Sequence, residues 1–269
     1  MLFPSNPAEV MVIRSVTPDI ITMSLPFARF GLIKFGGRGT LVRMKSGSLA
    51  VFSPVGLTTQ VRETVDSMGG RVKYIAAPDM EHHLLVGAWK KAYPDAEIIA
   101  PEGLWEKRQG REEFKEEAPF KHVFRKESYN DPHQTVKVDE EFDAEFETEY
   151  VYGHGSRELV FLHKPSRTVI EADLLFNLPA WEQYSRTSEG ARAGLWTRLM
   201  TPLMSTQGAA VWQQRFAWYI LSKADRGAFT RSMRRIETWD FDRLVPCHGD
   251  VIETGAKAVF RKVFAWFLE

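Results

Sequence analysis

Four groups of histidine and carboxylate side chains stand far apart in the chain, each where an apolar run ends. They are Asp79-Met80-Glu81-His82-His83, Gly153-His154-Gly155, Ala172-Asp173 and Pro246-Cys247-His248-Gly249-Asp250. Imidazole and carboxylate are ordinary ligands of divalent metals, and strand ends converge when strands share a sheet. Asp79, Glu81 and Asp173 gathered without a cation would repel one another and raise at least one carboxyl pKa. A divalent ion relieves that repulsion. The chemistry such a centre supplies is activation of water for attack on a carbonyl or related electrophile.

Each cluster needs an element to deliver it. Gly39 to Met44 and Ser48 to Ser53 flank Lys45-Ser46-Gly47 and read as a hairpin. Thr58 to Met68 carries Val61, Val65 and Met68 on one helical face and stops at Gly69-Gly70. Arg71 to Ala76 is then a buried strand whose exit holds the Asp79 cluster. A helix over Leu84 to Tyr93 closes at Pro94, before a short strand at Glu97 to Ala100. Further strands are expected at Glu149 to Tyr152, Glu158 to His163 and Thr168 to Glu171, the last two joined by a turn at Lys164-Pro165-Ser166-Arg167. Strand, helix, strand order implies an α/β fold.

The charged stretch Arg108 to Glu149 reads as a solvated face. Ala191 to Arg235 is helix-rich and aromatic, a pattern that belongs to core more often than to a binding surface. Phe176, Trp181 and Tyr184, just after Asp173, are the expected substrate-contact aromatics. His83, His122, His133 and His163 read as surface or locally bonded histidines, and Cys247 as a small buried hydrophobe.

The order Asp-x-Glu-His, Gly-His, strand-closing Asp and late Pro-x-His-Gly resembles the metallo-β-lactamase superfamily, including glyoxalase II-like hydrolases, over roughly Thr40 to Trp266. Ser53-Pro54-Val55-Gly56, the run His82 to Pro94 with Trp89 inside it, and Ile236 to Asp242 leading into His248 resemble a divergent domain-of-unknown-function branch. The resemblance implies a four-layer αββα sandwich with a helical insertion. Aligned with the superfamily's His-x-His-x-Asp-His, the chain reads Ala77-Pro78-Asp79-Met80-Glu81-His82. Alanine and aspartate replace the two histidines, and Glu81 replaces the aspartate. By resemblance, Glu81, His82, Asp173 and His248 form one metal site, and Asp79, His154 and the shared Asp173 a depleted one.

One or two divalent ions follow, zinc first, with manganese or iron admitted by the added carboxylates. The implied activity is metal-dependent hydrolysis of a small ester, thioester, lactone or amide, with Asp79 as general base. Two alternatives stand beside it: an iron-dependent redox enzyme, and a non-catalytic binding protein on the same fold.

Composition bounds these readings. A chain of 269 residues, 44% hydrophobic, can bury a substantial core, and one domain over 1–269 is expected, its helix-rich insertion at about 181–235. Lys plus Arg equals Asp plus Glu at 35 each, which gives no electrostatic footprint for nucleic acid. The single cysteine fits a reducing compartment. Met11 to Val16 is interrupted by Arg14 and Ile20 to Leu25 is short, so no signal peptide is read. No apolar run reaches the ~18 residues of a membrane span. The expectation is a cytoplasmic protein with a small-molecule partner and neither nucleic acid nor membrane.

Overall fold

Alternation along the central strands explains the architecture. In the computed structural model, which describes residues 4–115, 119–130 and 137–269, Tyr74 and Ala76 point into one apolar cluster and Ile75 and Ala77 into another. Leu159 and Phe161 likewise face one way, Val160 and Leu162 the other. Strands covered on both faces must be apolar throughout, as these are. Glu116, Glu117 and His133 lie outside the described residues.

Among the described residues thirteen strands build the sheets: β1 Val12–Thr17, β2 Ile20–Leu25, β3 Ala28–Arg29, β4 Ile33–Lys34, β5 Gly37–Arg43, β6 Leu49–Phe52, β7 Val72–Ala76, β8 Glu97–Pro101, β9 His122–Phe124, β10 Phe146–Val151, β11 Glu158–His163, β12 Thr168–Ile170 and β13 Arg243–Val245. The larger sheet runs β1-β2-β5-β6-β7-β8-β9, antiparallel to β6 and parallel beyond it. The smaller runs β10-β11-β12-β13, with only β12 and β13 parallel. β3 and β4 form a separate hairpin.

The sheets meet through Ala50, Phe52 and Tyr74 on one side and Phe146, Phe161 and Ile170 on the other. The ring centroids of Phe52 and Phe161 are 4.8 Å apart. On the outer face of the larger sheet, Leu41, Val51 and Ile75 pack against Val61 and Val65 of helix Thr59–Ser67 and Trp89 of helix Val86–Ala92. The Trp89 indole N–H donates to Val55 O at 2.6 Å, joining two of the motif stretches. On the outer face of the smaller sheet, Val160 and Leu244 pack against Phe229 and Met233 of helix Arg226–Thr238 and Phe260 of helix Ala256–Val263. The result is a four-layer αββα sandwich.

Topology gathers the clusters. β10 and β12 are both antiparallel to β11, so they run in one direction, and β13 is parallel to β12. His154, Asp173 and His248 therefore all leave the same edge. The Asp79 turn is tied to that edge across the sheets, with Leu159 N–H donating to Pro78 O at 2.6 Å and Met80 N–H to Ser156 O at 3.0 Å. Two glycines are required by close approach: a Cβ on Gly153 would lie 2.4 Å from Asp225 O, and one on Gly249, at φ +91, would lie 2.2 Å from Asn177 O. Among the described residues, no helix is long and apolar enough to cross a membrane.

Candidate metal centre

Hydrogen bonding sets the tautomers of the two histidines that meet at this edge. His82 Nδ1–H donates to Asp79 Oδ1 at 2.9 Å, and His248 Nδ1–H donates to the carbonyl of Gly36 at 2.6 Å. Each ring, when neutral, keeps its lone pair on Nε2. The two Nε2 atoms face each other at 3.1 Å, and Asp173 Oδ1 is 3.1 Å from His248 Nε2. Three electron-pair donors thus converge with no hydrogen of their own to share, an arrangement that calls for a proton or a cation. Asp79 adds to the demand: it is fully buried, and Oδ2 has no hydrogen-bond partner among the described residues. Donor atoms of Asp79, His82 and Asp173 lie within 4.8 Å of one another, as do those of His82, Cys247 and His248.

The electrostatics agree. Burial opposes a charge on His82, yet Asp79, Cys247 and Asp173 outweigh it and hold the imidazole well above its usual range. Burial likewise opposes charge on His248, but Cys247 and Asp173 raise it. Burial disfavours the Asp173 carboxylate, and His82 and His248 more than reverse that, leaving it below the usual carboxylate range. The pocket is built to hold positive charge, and the donors present fit a divalent ion.

Supporting residues hold these donors in place. Arg38, whose side chain is fully buried, donates through one terminal nitrogen to Pro246 O at 2.5 Å and Gly249 O at 2.7 Å. Its other nitrogens reach Ser24 Oγ at 2.9 Å and Glu182 Oε1 at 3.1 Å. Gln183 Nε2 also donates to Gly249 O at 2.8 Å. The His248 ring stacks on Phe176 at 5.4 Å and 7°, and Phe27 and Phe35 enclose it at 5.8 and 5.6 Å.

The Asp173 turn is held by buried Glu158, which accepts the amides of Ala172 at 2.8 Å and Asp173 at 3.0 Å. Burial, then Asp79 and Asp173, push the Glu158 carboxyl well above its usual range. Sequence reasoning missed Arg38 and Glu158. Their only signal is a charged residue inside an apolar strand. Cys247 is buried, donating Sγ–H to Arg38 O at 3.3 Å. Burial raises its thiol, but the neighbouring His82 and His248 bring it down to about 7.

The remaining site candidates are placed differently. Asp79 Oδ1 caps its own turn, accepting the amides of Glu81 at 2.8 Å and His82 at 2.7 Å. That turn throws Glu81 outward, away from the other donors of the expected ligand set: its carboxylate is 43% exposed and pairs with Lys107 at 3.1 Å and Arg29 at 3.7 Å. His154 is buried, and burial lowers its pKa. Ser156 N–H donates to His154 Nδ1 at 3.1 Å, so the neutral ring carries its proton on Nε2, a buried donor with no hydrogen-bond partner within normal distance among the described residues. In this tautomer His154 presents a hydrogen rather than the lone pair a ligand needs.

Ala77 faces the apolar cluster under the outer helices, with Ile75, Val86 and Trp89. Phe176 and Tyr184, expected at a substrate pocket, are buried with Phe35, Leu178 and Met204, and the Tyr184 hydroxyl donates to Phe27 O at 2.8 Å. Trp181 is half-exposed, with Arg192 5.6 Å from its ring centroid. His83, His122 and His163 have local partners in Arg108, Glu97 and Ser166.

A family model described as "Domain of unknown function (DUF4336)" matches residues 32–183. No curated protein matches. Similar solved structures include the DIM-1 metallo-β-lactamase exposed to ceftazidime, at 11% identity and TM-score 0.53 over 96% of each chain. A metallo-β-lactamase from Pontibacter korlensis is similar at 10% identity and TM-score 0.56, over 96% of this chain and 98% of that one. A mutant flavo di-iron protein from Thermotoga maritima is similar at 12% identity and TM-score 0.57, over 96% of this chain and 62% of that one. At these identities the likeness is one of fold.

Proposed function

The chain belongs to the DUF4336 family and has the metallo-β-lactamase fold, and from that premise we propose that it is a metal-dependent hydrolase of a small ester, thioester, lactone or amide. The observation that carries this reading is the convergence of His82 Nε2, His248 Nε2 and Asp173 Oδ1 as three hydrogen-free donors. Three protein ligands with an open position are the pattern of catalytic rather than structural sites. His82, His248 and Asp173 would hold a divalent ion, zinc or a harder one such as manganese or iron, and that ion would supply Lewis acidity to a water and to a carbonyl.

The chain's own residues do the rest. Asp79 Oδ1 orients His82, and Oδ2, the carboxylate oxygen left without a hydrogen, accepts the proton that water gives up. The buried Nε2–H of His154 is available to a developing oxyanion. Phe27, Phe35 and Phe176 keep water from the His248 side and fix the ring plane.

The test is elemental analysis of the freshly purified protein together with hydrolysis of an ester, thioester and lactone panel before and after chelation. At least one metal per chain, with turnover lost on chelation and restored by metal, is the expected result. A well-folded, metal-free protein without turnover would overturn the reading in favour of a binding protein. A second reading has a specific observation behind it: two imidazoles and one carboxylate are also the donor set of non-haem iron oxygenases. Bound iron with substrate-dependent dioxygen uptake would select it.

A further inference from the structure

The helical segment between the Asp173 and His248 clusters exposes side chains that a solvated surface ordinarily avoids. On helix Leu195–Met200, Leu195, Trp196 and Leu199 are 69%, 55% and 58% exposed. Helix Val211–Phe216 continues through the π-turn Ala217–Leu221, and there Trp212, Tyr219 and Ile220 are 53%, 62% and 49% exposed. Each set sits opposite buried positions of its own helix: Thr197 in the first, Gln213, Ala217 and Leu221 in the second. Both helices therefore have an inner face already used by the fold and an apolar outer face left exposed among the described residues.

Charge gives the second observation. From residue 190 to 224 there is no aspartate or glutamate, while Arg192, Arg198, Arg215 and Lys223 supply four exposed cations. The whole chain balances 35 acidic against 35 basic residues, so this stretch is a local departure. The Arg215 guanidinium lies 4.9 Å from the Trp212 ring centroid, at the margin of the apolar stripe.

We propose that these two outer helix faces dock on an anionic phospholipid surface, lying in the interface without crossing it. Tryptophan and tyrosine favour the headgroup level, leucine and isoleucine the acyl boundary, and arginine and lysine the anionic headgroups. The charge pattern disfavours a second copy, because an isologous contact would set the same cations against themselves. Half of the set, Leu195, Leu199 and Ile220, gives bases nothing to stack on, which favours lipid over nucleic acid. The sequence expectation of no membrane partner rested on the lack of a spanning run. Exposed apolar side chains on two short helices are not such a run. The inference is independent of the hydrolase reading, because none of its residues belongs to the metal centre.

The test is co-sedimentation of the full chain with vesicles of phosphatidylcholine alone and of phosphatidylcholine with phosphatidylglycerol, at low and high salt. Partition onto the anionic vesicles is expected to exceed that onto neutral ones by about tenfold or more and to fall with salt. Trp196→Glu/Trp212→Glu should lose about tenfold or more of it while keeping the wild-type circular dichroism and Tm. Arg198→Ser/Arg215→Ser should flatten the salt dependence. The proposal is overturned by equal pelleting with and without vesicles, or by binding that both double variants leave intact. It is also overturned if the protein instead self-associates, or binds single-stranded RNA, in a manner that Trp196→Glu/Trp212→Glu abolishes.

Discussion

Arg38→Met removes the group that holds the His248 loop and leaves every donor of the candidate centre in place. Its consequence can be worked from the contacts. The guanidinium serves Pro246 O, Gly249 O, Ser24 Oγ and Glu182 Oε1. After substitution, Gly249 O keeps Gln183 Nε2, and Glu182 keeps Arg14 Nε at 2.5 Å and Ser24 Oγ at 2.5 Å. Of the four acceptors, Pro246 O loses the most.

An orphaned buried acceptor costs about 1–3 kcal/mol, and weakening a charge-assisted contact to Glu182 adds about 1 kcal/mol. Methionine refills most of the volume, so the total is about 3 kcal/mol, a Tm fall of roughly 6–12 °C for a chain of this size. Because Pro246 and Gly249 bracket His248, metal affinity should fall about 10- to 100-fold, the scale for lost outer-shell support. Urea unfolding gives the first number and competitive chelator titration the second. Arg38→Lys, which keeps the charge but not the planar fork, should recover only part of either. A variant that loses under about 1 kcal/mol and binds metal like wild type would refute the argument that Arg38 positions the site.

Asp173→Ala and His248→Ala should each lower metal content sharply, with Tm falling by linkage, as read by elemental analysis and calorimetry. Tyr184→Ala should cost about 3–5 kcal/mol, because the ring is buried and its hydroxyl is bonded, whereas half-exposed Trp181→Ala should cost under about 1 kcal/mol; denaturant titration separates them. Ala77→His should destabilise by about 1–3 kcal/mol through overpacking and add no metal, since the methyl faces the apolar cluster.

Glu141 provides the pH prediction. Burial would raise its carboxyl, but Lys73, 2.6 Å away, and Ser46 hold it down to about 2 from 4.5. A lowered carboxyl stabilises the fold above its unfolded value and loses that contribution as pH falls through the folded one. The wild-type advantage over Glu141→Gln should therefore be about 1 kcal/mol at neutral pH, discounted for partial exposure, and should vanish between pH 4.5 and about 2. An advantage that grew on acidification would contradict the assignment.

Local pattern carried much of the architecture. The apolar runs ending at Asp79, Asp173 and His248 are β7, β12 and β13, and the Lys45-Ser46-Gly47 turn joins β5 to β6. Helix Thr59–Ser67 begins where Thr58 Oγ1 accepts the Val61 amide, a cap legible in the residues themselves. These features depend on side-chain period and on neighbours a few positions away.

What the side chains of the site do was decided elsewhere. Glu81 and His82 are adjacent, yet the Asp79 cap turns one to solvent and the other to His248. His154 and His248 read alike in sequence. A backbone amide at Ser156 and a carbonyl at Gly36 give them opposite tautomers, so one presents a hydrogen and the other a lone pair. Arg38 looks like an ordinary strand residue until the chain returns 208 positions later to place Pro246 O against it. Residue type and spacing determine which elements form and which groups can ligate. Protonation, orientation and support depend on partners that only the packed sheets bring within hydrogen-bonding distance, because such bonds act over about 3 Å whatever the separation along the chain.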